Sequence, residues 1–204
     1  MIDSTDLMLE PDGATPLGPD ELVGLIPTWV SSRGELNAVE QENIIEAMYW
    51  AFGQEWALES LLSDESIRQL HRRMFHDVWE WAGEYRLRET SIGVAPSQIA
   101  VQLRNLLADA RARIESAKDP VDAADEIAVW FHHRLVQIHP FLNGNGRHAR
   151  LAADLLVVAL GGKRFTWGGA DLSGAGDARS EYLGALRKAD ADFDCGPLRA
   201  FARS

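Results

Sequence analysis

Cysteine is almost missing from the chain. Cys195 is the single one in 204 residues, which rules out an internal disulfide and a cysteine-based zinc site. No histidine lies near it in sequence, so it reads as an inert thiol. Positive charge is also scarce: 20 lysines and arginines against 31 acids give a formal charge of -11. A surface of that sign repels nucleic acid phosphates and anionic membranes, and direct nucleic acid binding is not expected. No apolar run approaches the roughly 20 residues of a membrane span. The stretch MIDSTDLMLEPDGATP is acidic and lacks the basic and apolar regions of a secretory signal. The expectation is a soluble, cytoplasmic protein. Two further motifs are lacking: GGKRF is not a Walker loop, and His132, His133, His139 and His148 do not form an HExxH-type zinc pattern.

What is present is a good supply of core. Hydrophobic residues make up 46% of the chain, enough for one domain, and no repeats or second domain stand out. Residues 1–34 read as an extended arm with turns. From there to residue 204 the pattern is helical. Asn37 and Glu40 have capping-box spacing, and Val39, Ile45, Met48 and Phe52 recur at helical intervals over about 37–52. Further helices are expected over EWALESLL and DESIRQLHRRMFHDVWEWAG. Two more are expected over PSQIAVQLRNLLADARARIESA and DAADEIAVWFHHRLVQI, then one over GRHARLAADLLVVAL and one or two short ones in the tail. The exception is YRLRETSIGV, where Tyr85, Leu87 and Glu89 alternate with Arg86, Arg88 and Thr90 and the period of two continues through Ile92 and Val94. The fold class expected is therefore mainly α, a single helical domain with a small β-hairpin at about 85–95. The seven tryptophans fall mostly at apolar helical positions and read as core rather than as a stacking platform.

The stretch IHPFLNGNGRHAR, residues 138–150, concentrates the chemistry. Asn-Gly pairs favour hairpin turns, but the flanks here are two helical patterns, so the glycines sit at a helix-to-helix joint. Glycines there let an anion approach backbone N–H groups, and the start of the following helix adds partial positive charge. Arg147 and Arg150, three apart, share a face, and their forks suit phosphate oxygens. Cationic side chains in a first turn oppose the helix dipole, a local cost that a bound polyphosphate relieves. His139, with an ordinary pKa near 6.5, can accept a proton at neutral pH. From the residues alone two readings stand: a base beside a phosphate cradle, activating a hydroxyl for attack on phosphorus, or a core histidine capping a helix.

HPFLNGNGRHAR is similar to the Fic family signature H-P-F-x-[DE]-G-N-G-R-x-x-R, matching every fixed position except the acidic one, where Asn143 stands. The order of RRMFHDVWEWAGEYR, hairpin and motif also resembles Fic domains, over roughly residues 36–201, and TWGG with ARSEYLGALRKAD resembles the branch called mobile mystery protein B. The resemblance implies a mostly helical protein adenylyltransferase moving AMP from ATP to a Ser, Thr or Tyr hydroxyl of a target protein. It casts His139 as catalytic base and Phe141 as the anchor of the loop. Gly144, Asn145 and Gly146 become the anion hole, Arg147 the β-phosphate ligand and Arg150 a γ-phosphate neighbour, with Asn145 and Arg147 joining His139 in the catalytic set. The segment 85–95, with Arg88, Thr90 and Ile92, becomes the flap that pairs with the target.

Asn143 stands where the family carries a Mg²⁺-binding acid, and a neutral amide oxygen weakens such a site. That leaves a working enzyme with weaker metal binding, a changed, kinase-like phosphotransfer, or a nucleotide-binding regulator without turnover. The family's inhibitory pattern [ST]-x-x-x-E-[GN] points to Glu42-Asn43, although Ala38 holds the leading position. Ala38, Glu42, Ile45 and Tyr49 share one helical face, which turns Glu42 towards the core and a partner such as Arg150; a solvated Glu42 is the alternative. The resembled branch also implies a helix-turn-helix partner protein, as in a toxin–antitoxin pair, and leaves room for a homo-oligomer.

Overall fold

A computed structural model of the chain describes residues 22–169, 172 and 176–204; residues 1–21 of the expected arm lie outside the described residues. Among the described residues eight α-helices follow in order: α1 (Arg33–Phe52), α2 (Leu58–Leu61), α3 (Asp64–Phe75), α4 (Ile99–Ser116), α5 (Ala124–Ile138), α6 (Asn145–Ala159), α7 (Asp177–Asp192) and α8 (Gly196–Arg203). The fold is mainly α and forms a single helical domain.

The centre is the antiparallel pair α5 and α6. On α5 the stripe Ile127, Phe131, Leu135 and Ile138 is buried, and Trp130 is left partly exposed under the Arg113 guanidinium, 4.1 Å from its ring centroid. Every residue of α6 from 151 to 157 is buried, as expected of a helix that is apolar all round. The one acid among them, Asp154, accepts from Arg164 Nε at 3.0 Å and Trp167 Nε1 at 2.9 Å. Around this pair α1 packs on α3, α4 on α5, and α8 on α7.

Helix α1 starts earlier than the Asn37 capping box suggests. Its cap is Ser32, which accepts from the Glu35 backbone while the Glu35 side chain accepts from Ser32 N at 3.1 Å. Its buried face is also different from the expected one. Leu36, Glu40, Asn43, Ile44, Ala47 and Ala51 point inward, whereas Ala38, Glu42, Ile45 and Tyr49 are exposed. The helix carries apolar residues on both sides, in the pairs Ile44-Ile45 and Met48-Tyr49, so its period alone does not choose a face.

Helix α3 stops at Phe75 instead of running on through Trp81. The buried Asn43 side chain accepts from Asp77 N at 3.2 Å and donates to Asp77 Oδ2 at 3.0 Å, offering the backbone a partner that competes with a further helical turn. The chain then turns so that Ile26 N donates to Val78 O and Glu80 N to Gly24 O. This makes an isolated antiparallel bridge, Leu25 with Trp79.

Among the described residues there is no β-hairpin at 85–95. The alternation there has another cause: Arg86 is buried and Leu87 is 93% exposed, the reverse of what an apolar-in strand requires. The segment is a loop that touches the α5–α6 joint through Arg86 N to Pro140 O (2.9 Å) and Val94 N to Ile138 O (3.3 Å).

Replacing Asn43 with alanine removes both bonds to Asp77 and leaves the Asp77 N–H short of a partner. Urea unfolding should show Asn43→Ala destabilised by about 1–3 kcal/mol with an unchanged slope.

Candidate active site

The joint between α5 and α6 is built by its own side chains. Asn145 turns back on the loop, its Oδ1 accepting from Phe141 N at 2.9 Å and its Nδ2 donating to Phe141 O at 2.8 Å. Its side chain is thus occupied in holding the loop, and what it presents to the cavity is its place in the first turn of α6. Phe141 is fully buried and stacks on His71 with ring centroids 3.7 Å apart. Gly144 caps α6 with φ +75, and a Cβ there would meet the Phe75 ring at 2.5 Å, so only glycine fits.

His71 locks the other side of the loop. Its Nδ1 accepts from Gly83 N at 3.0 Å, which leaves Nε2–H to donate to Asn143 O, also at 3.0 Å. The sequence reading missed this residue, although a histidine inside the apolar stripe of Ile67, Leu70 and Met74 was the available signal. His148 Nε2–H likewise donates to Ile67 O at 2.9 Å.

His139 closes α5 in the left-handed region, φ 53 and ψ 60, which costs a non-glycine residue roughly 1 kcal/mol or more. It is buried to 6% exposure. Burial pushes its pKa down to about 4, a hydrogen bond with the Val136 backbone opposes the shift, and the Arg86 charge adds to it. The ring is therefore neutral at physiological pH and competent to accept a proton.

His139, residues 143–147 and Arg150 line one cavity of about 720 Å³, the size of an ordinary small-ligand pocket. Loop residues 91–94 close one side and α7 another. Ile92 is thus on the wall; Arg88 and Thr90 are not, and the Thr90 hydroxyl donates to Ile92 O at 2.6 Å. No side chain caps the N-terminus of α6, the helix end that favours an anion. Six arginines line the cavity against one acid, Asp190, a cationic focus inside a chain of charge -11. Asp190 accepts from His133 Nε2 at 2.8 Å and Gln137 Nε2 at 2.6 Å.

The two motif arginines are positioned differently. Arg150 lies over the Tyr182 ring, 5.4 Å from its centroid; the tyrosine hydroxyl is 3.0 Å from His132 Nε2. Arg147 instead meets a carboxylate from α1, Glu40 Oε2, at 2.7 Å. Glu40 is 2% exposed and accepts from Trp79 Nε1 at 2.7 Å through its other oxygen. Glu42, two residues on, is exposed and does not reach Arg150. The inward acid of α1 is Glu40, missed because the helical face was assigned from Ile45 and Tyr49.

Asn143, the position expected to meet Mg²⁺, offers a neutral amide oxygen, and its Oδ1 accepts from Gly144 N at 2.6 Å and from Arg147 Nη2 at 3.5 Å. Among the described residues no group of three or more histidines, cysteines and acids could hold an ion.

Residues 61–157 match the Fic/DOC family. That stretch, just under half of the chain, is what resembles a Fic/DOC domain. It is 32% identical over 123 residues to the probable protein adenylyltransferase y4lH of Sinorhizobium fredii, covering 58% of this chain and 62% of the relative. Over 148 residues it is 32% identical to protein adenylyltransferase fic-1 of Caenorhabditis briggsae, 70% of this chain and 26% of that protein. The chain thus spans less than two thirds of these relatives. The fold matches the BepC protein of Bartonella tribocorum, crystallised with AMPPNP, at a TM-score of 0.69 and 15% identity over 98% of this chain and 95% of that one. Fic-1 of Caenorhabditis elegans superposes with a TM-score of 0.59 at 24% identity, over 84% and 54%. The matched Fic/DOC region holds the loop, its flanking helices and His71, while Tyr182 and Asp190 of α7 line the cavity from outside it and Glu40 of α1 reaches its Arg147. No helix among the described residues is long and apolar enough to cross a membrane.

Burial holds His71, His132, His139 and His148 below their ordinary pKa. All four are neutral in the folded chain, whereas the unfolded chain takes up protons near pH 6.5. Stability is therefore full above that value and lost as pH falls towards about 4. The urea midpoint should drop steadily from pH 7 to pH 5, and a flat or rising midpoint would contradict these assignments.

Proposed function

We propose that the protein is an adenylyltransferase that moves AMP from ATP to a hydroxyl of a target protein. The observation that carries this reading is that the neutral His139, the uncapped start of α6 and the guanidinium groups of Arg147 and Arg150 all face one cavity. The names of the relatives from Sinorhizobium and Caenorhabditis and the AMPPNP in BepC support it. In this reading the first turn of α6, residues 144–146, receives the α- and β-phosphates through backbone N–H groups. Arg147 and Arg150 neutralise the β- and γ-phosphates. His139 takes the proton from the target hydroxyl as its oxygen attacks the α-phosphorus. The α–β phosphoanhydride bond breaks and pyrophosphate leaves, with placement and charge neutralisation supplying most of the rate. Loop 85–95, including Arg88, Thr90 and Ile92, receives the target segment, and Mg²⁺ belongs to the nucleotide rather than to a site on Asn143. Residues 35–204 would act as the unit, with 1–34 an arm; the tail motifs support the mobile mystery protein B branch and its helix-turn-helix partner.

A second reading, nucleotide binding without turnover, draws on Asn143, whose neutral oxygen is already engaged. Labelled ATP separates the readings. Label from the α-phosphate should mark protein, and His139→Ala should abolish the mark. Label from the γ-phosphate alone would indicate a kinase-like transfer. No mark from either position would leave the binding-only reading.

The activity is held in check by Glu40, which in this reading keeps Arg147 from the nucleotide phosphates. Glu40→Gln retains an oxygen for Trp79 Nε1 but removes the charge that captures Arg147. Transfer should rise about tenfold or more while the fold loses roughly 1–3 kcal/mol. Equal turnover by wild type and Glu40→Gln would discard this control.

A further inference from the structure

Arg86 is 1% exposed, and nothing in the transfer chemistry uses it. Its guanidinium is spent on backbone carbonyls from two separate segments. Nε donates to His139 O at 2.7 Å and Nη2 to Ile138 O at 3.4 Å, at the C-terminal end of α5. Nη1 donates to Arg88 O at 2.8 Å and Nη2 also to Val94 O, at the two ends of the loop that walls the cavity. The backbone of Arg86 adds a fifth tie, N–H to Pro140 O at 2.9 Å.

A buried charge is a poor device for stability alone, since apolar side chains of similar volume often serve better. What a guanidinium offers is a rigid planar fork whose donors fix several acceptors at once. The acceptors here are the carbonyl of the left-handed His139, its predecessor, and both shoulders of loop 87–95. A cation is also favoured at a helix C-terminus, where the last carbonyls lack helical partners.

Gly93 gives independent evidence of the same coupling. With φ +108, it passes so close that a Cβ would lie 2.6 Å from Arg86 Nη2 and 2.7 Å from His139 Cβ. The loop backbone thus rests directly on the histidine and on the clamp that holds it.

We propose that Arg86 is a positioning residue that locks the His139 backbone and loop 87–95 into one rigid unit, setting the register between the base and the target segment lying on that loop. This rests on the reading of His139 as the base for a target hydroxyl. Lysine at position 86 keeps the charge but has one donor centre, so it cannot hold carbonyls from both segments. ATP meets chiefly α6, which Arg86 does not touch in any of these bonds.

The test is Arg86→Lys in the full chain, with Gly93→Ala as a second variant that disturbs the same contact from the loop side. For both, kcat for transfer to protein should fall at least about tenfold while ATP affinity by calorimetry stays within about twofold. Amide exchange should accelerate at residues 87–95 and 138–139 and remain unchanged across α6. The His139 ring, followed by NMR titration, should move from about 4 towards the ordinary histidine value as the loop loosens. Loss of ATP affinity in step with kcat, or faster exchange throughout the domain, would reduce Arg86 to a general structural role and overturn the proposal. So would unchanged exchange at 87–95 together with unchanged turnover. Exchange and the His139 titration need no transferase activity. If the wild type transfers nothing, the functional reading fails while these two measurements still decide the clamp.

Discussion

Two hydrogen bonds, from the side chain of Asn145 to the backbone N–H and C=O of Phe141, set the shape on which the rest depends. They fold the joint between α5 and α6 into a loop that would otherwise be a slack run of asparagines and glycines. Once closed, the loop drives Phe141 into the core against His71, turns His139 to the rim and starts α6 with its amide end towards the cavity. Loop geometry and core packing are thus one event: the ring that anchors the loop is part of the hydrophobic core.

The site is electrostatically divided. Positive charge gathers at the cavity wall although the chain as a whole is strongly acidic, and burial keeps His139 beside it neutral. A polyanion entering such a space exchanges water for oriented amides and guanidinium groups, which are stronger partners where water is thin. Glu40 occupies part of that positive field from within. Being buried and tied to Trp79, it stays in place because of the packing of α1, not because of free rotation of its own side chain.

The central motif was legible in the sequence because its chemistry is local. A glycine at positive φ, a clasping asparagine and a buried phenylalanine lie within a few residues of one another, and a signature captures all of them. The core face of α5 was legible in outline for a similar reason, as Ile127, Leu135 and Ile138 recur at helical intervals, while the pattern left Trp130 or Phe131 between them and the structure buries Phe131. What failed was anything decided by a distant partner. Glu40 faces inward because Trp79 and Arg147, far off in the chain, receive it, and no period within α1 carries that information. The expected hairpin dissolved because Arg86, polar by composition, is buried by carbonyls contributed from the far side of the α5–α6 joint. Helix α3 ended early because Asn43, on another helix, captured Asp77.

The Fic/DOC match runs only from residue 61 to 157, yet the cavity is finished by α1 on one side and α7 on the other. The loop with His139 and the helices that complete the cavity around it are therefore written in different parts of the chain. Substitutions in the outer helices can reshape the cavity wall without touching the bonds that hold the loop. Such a layout separates the clasp that fixes the loop from the borders that give the cavity its outline, so the two can vary independently.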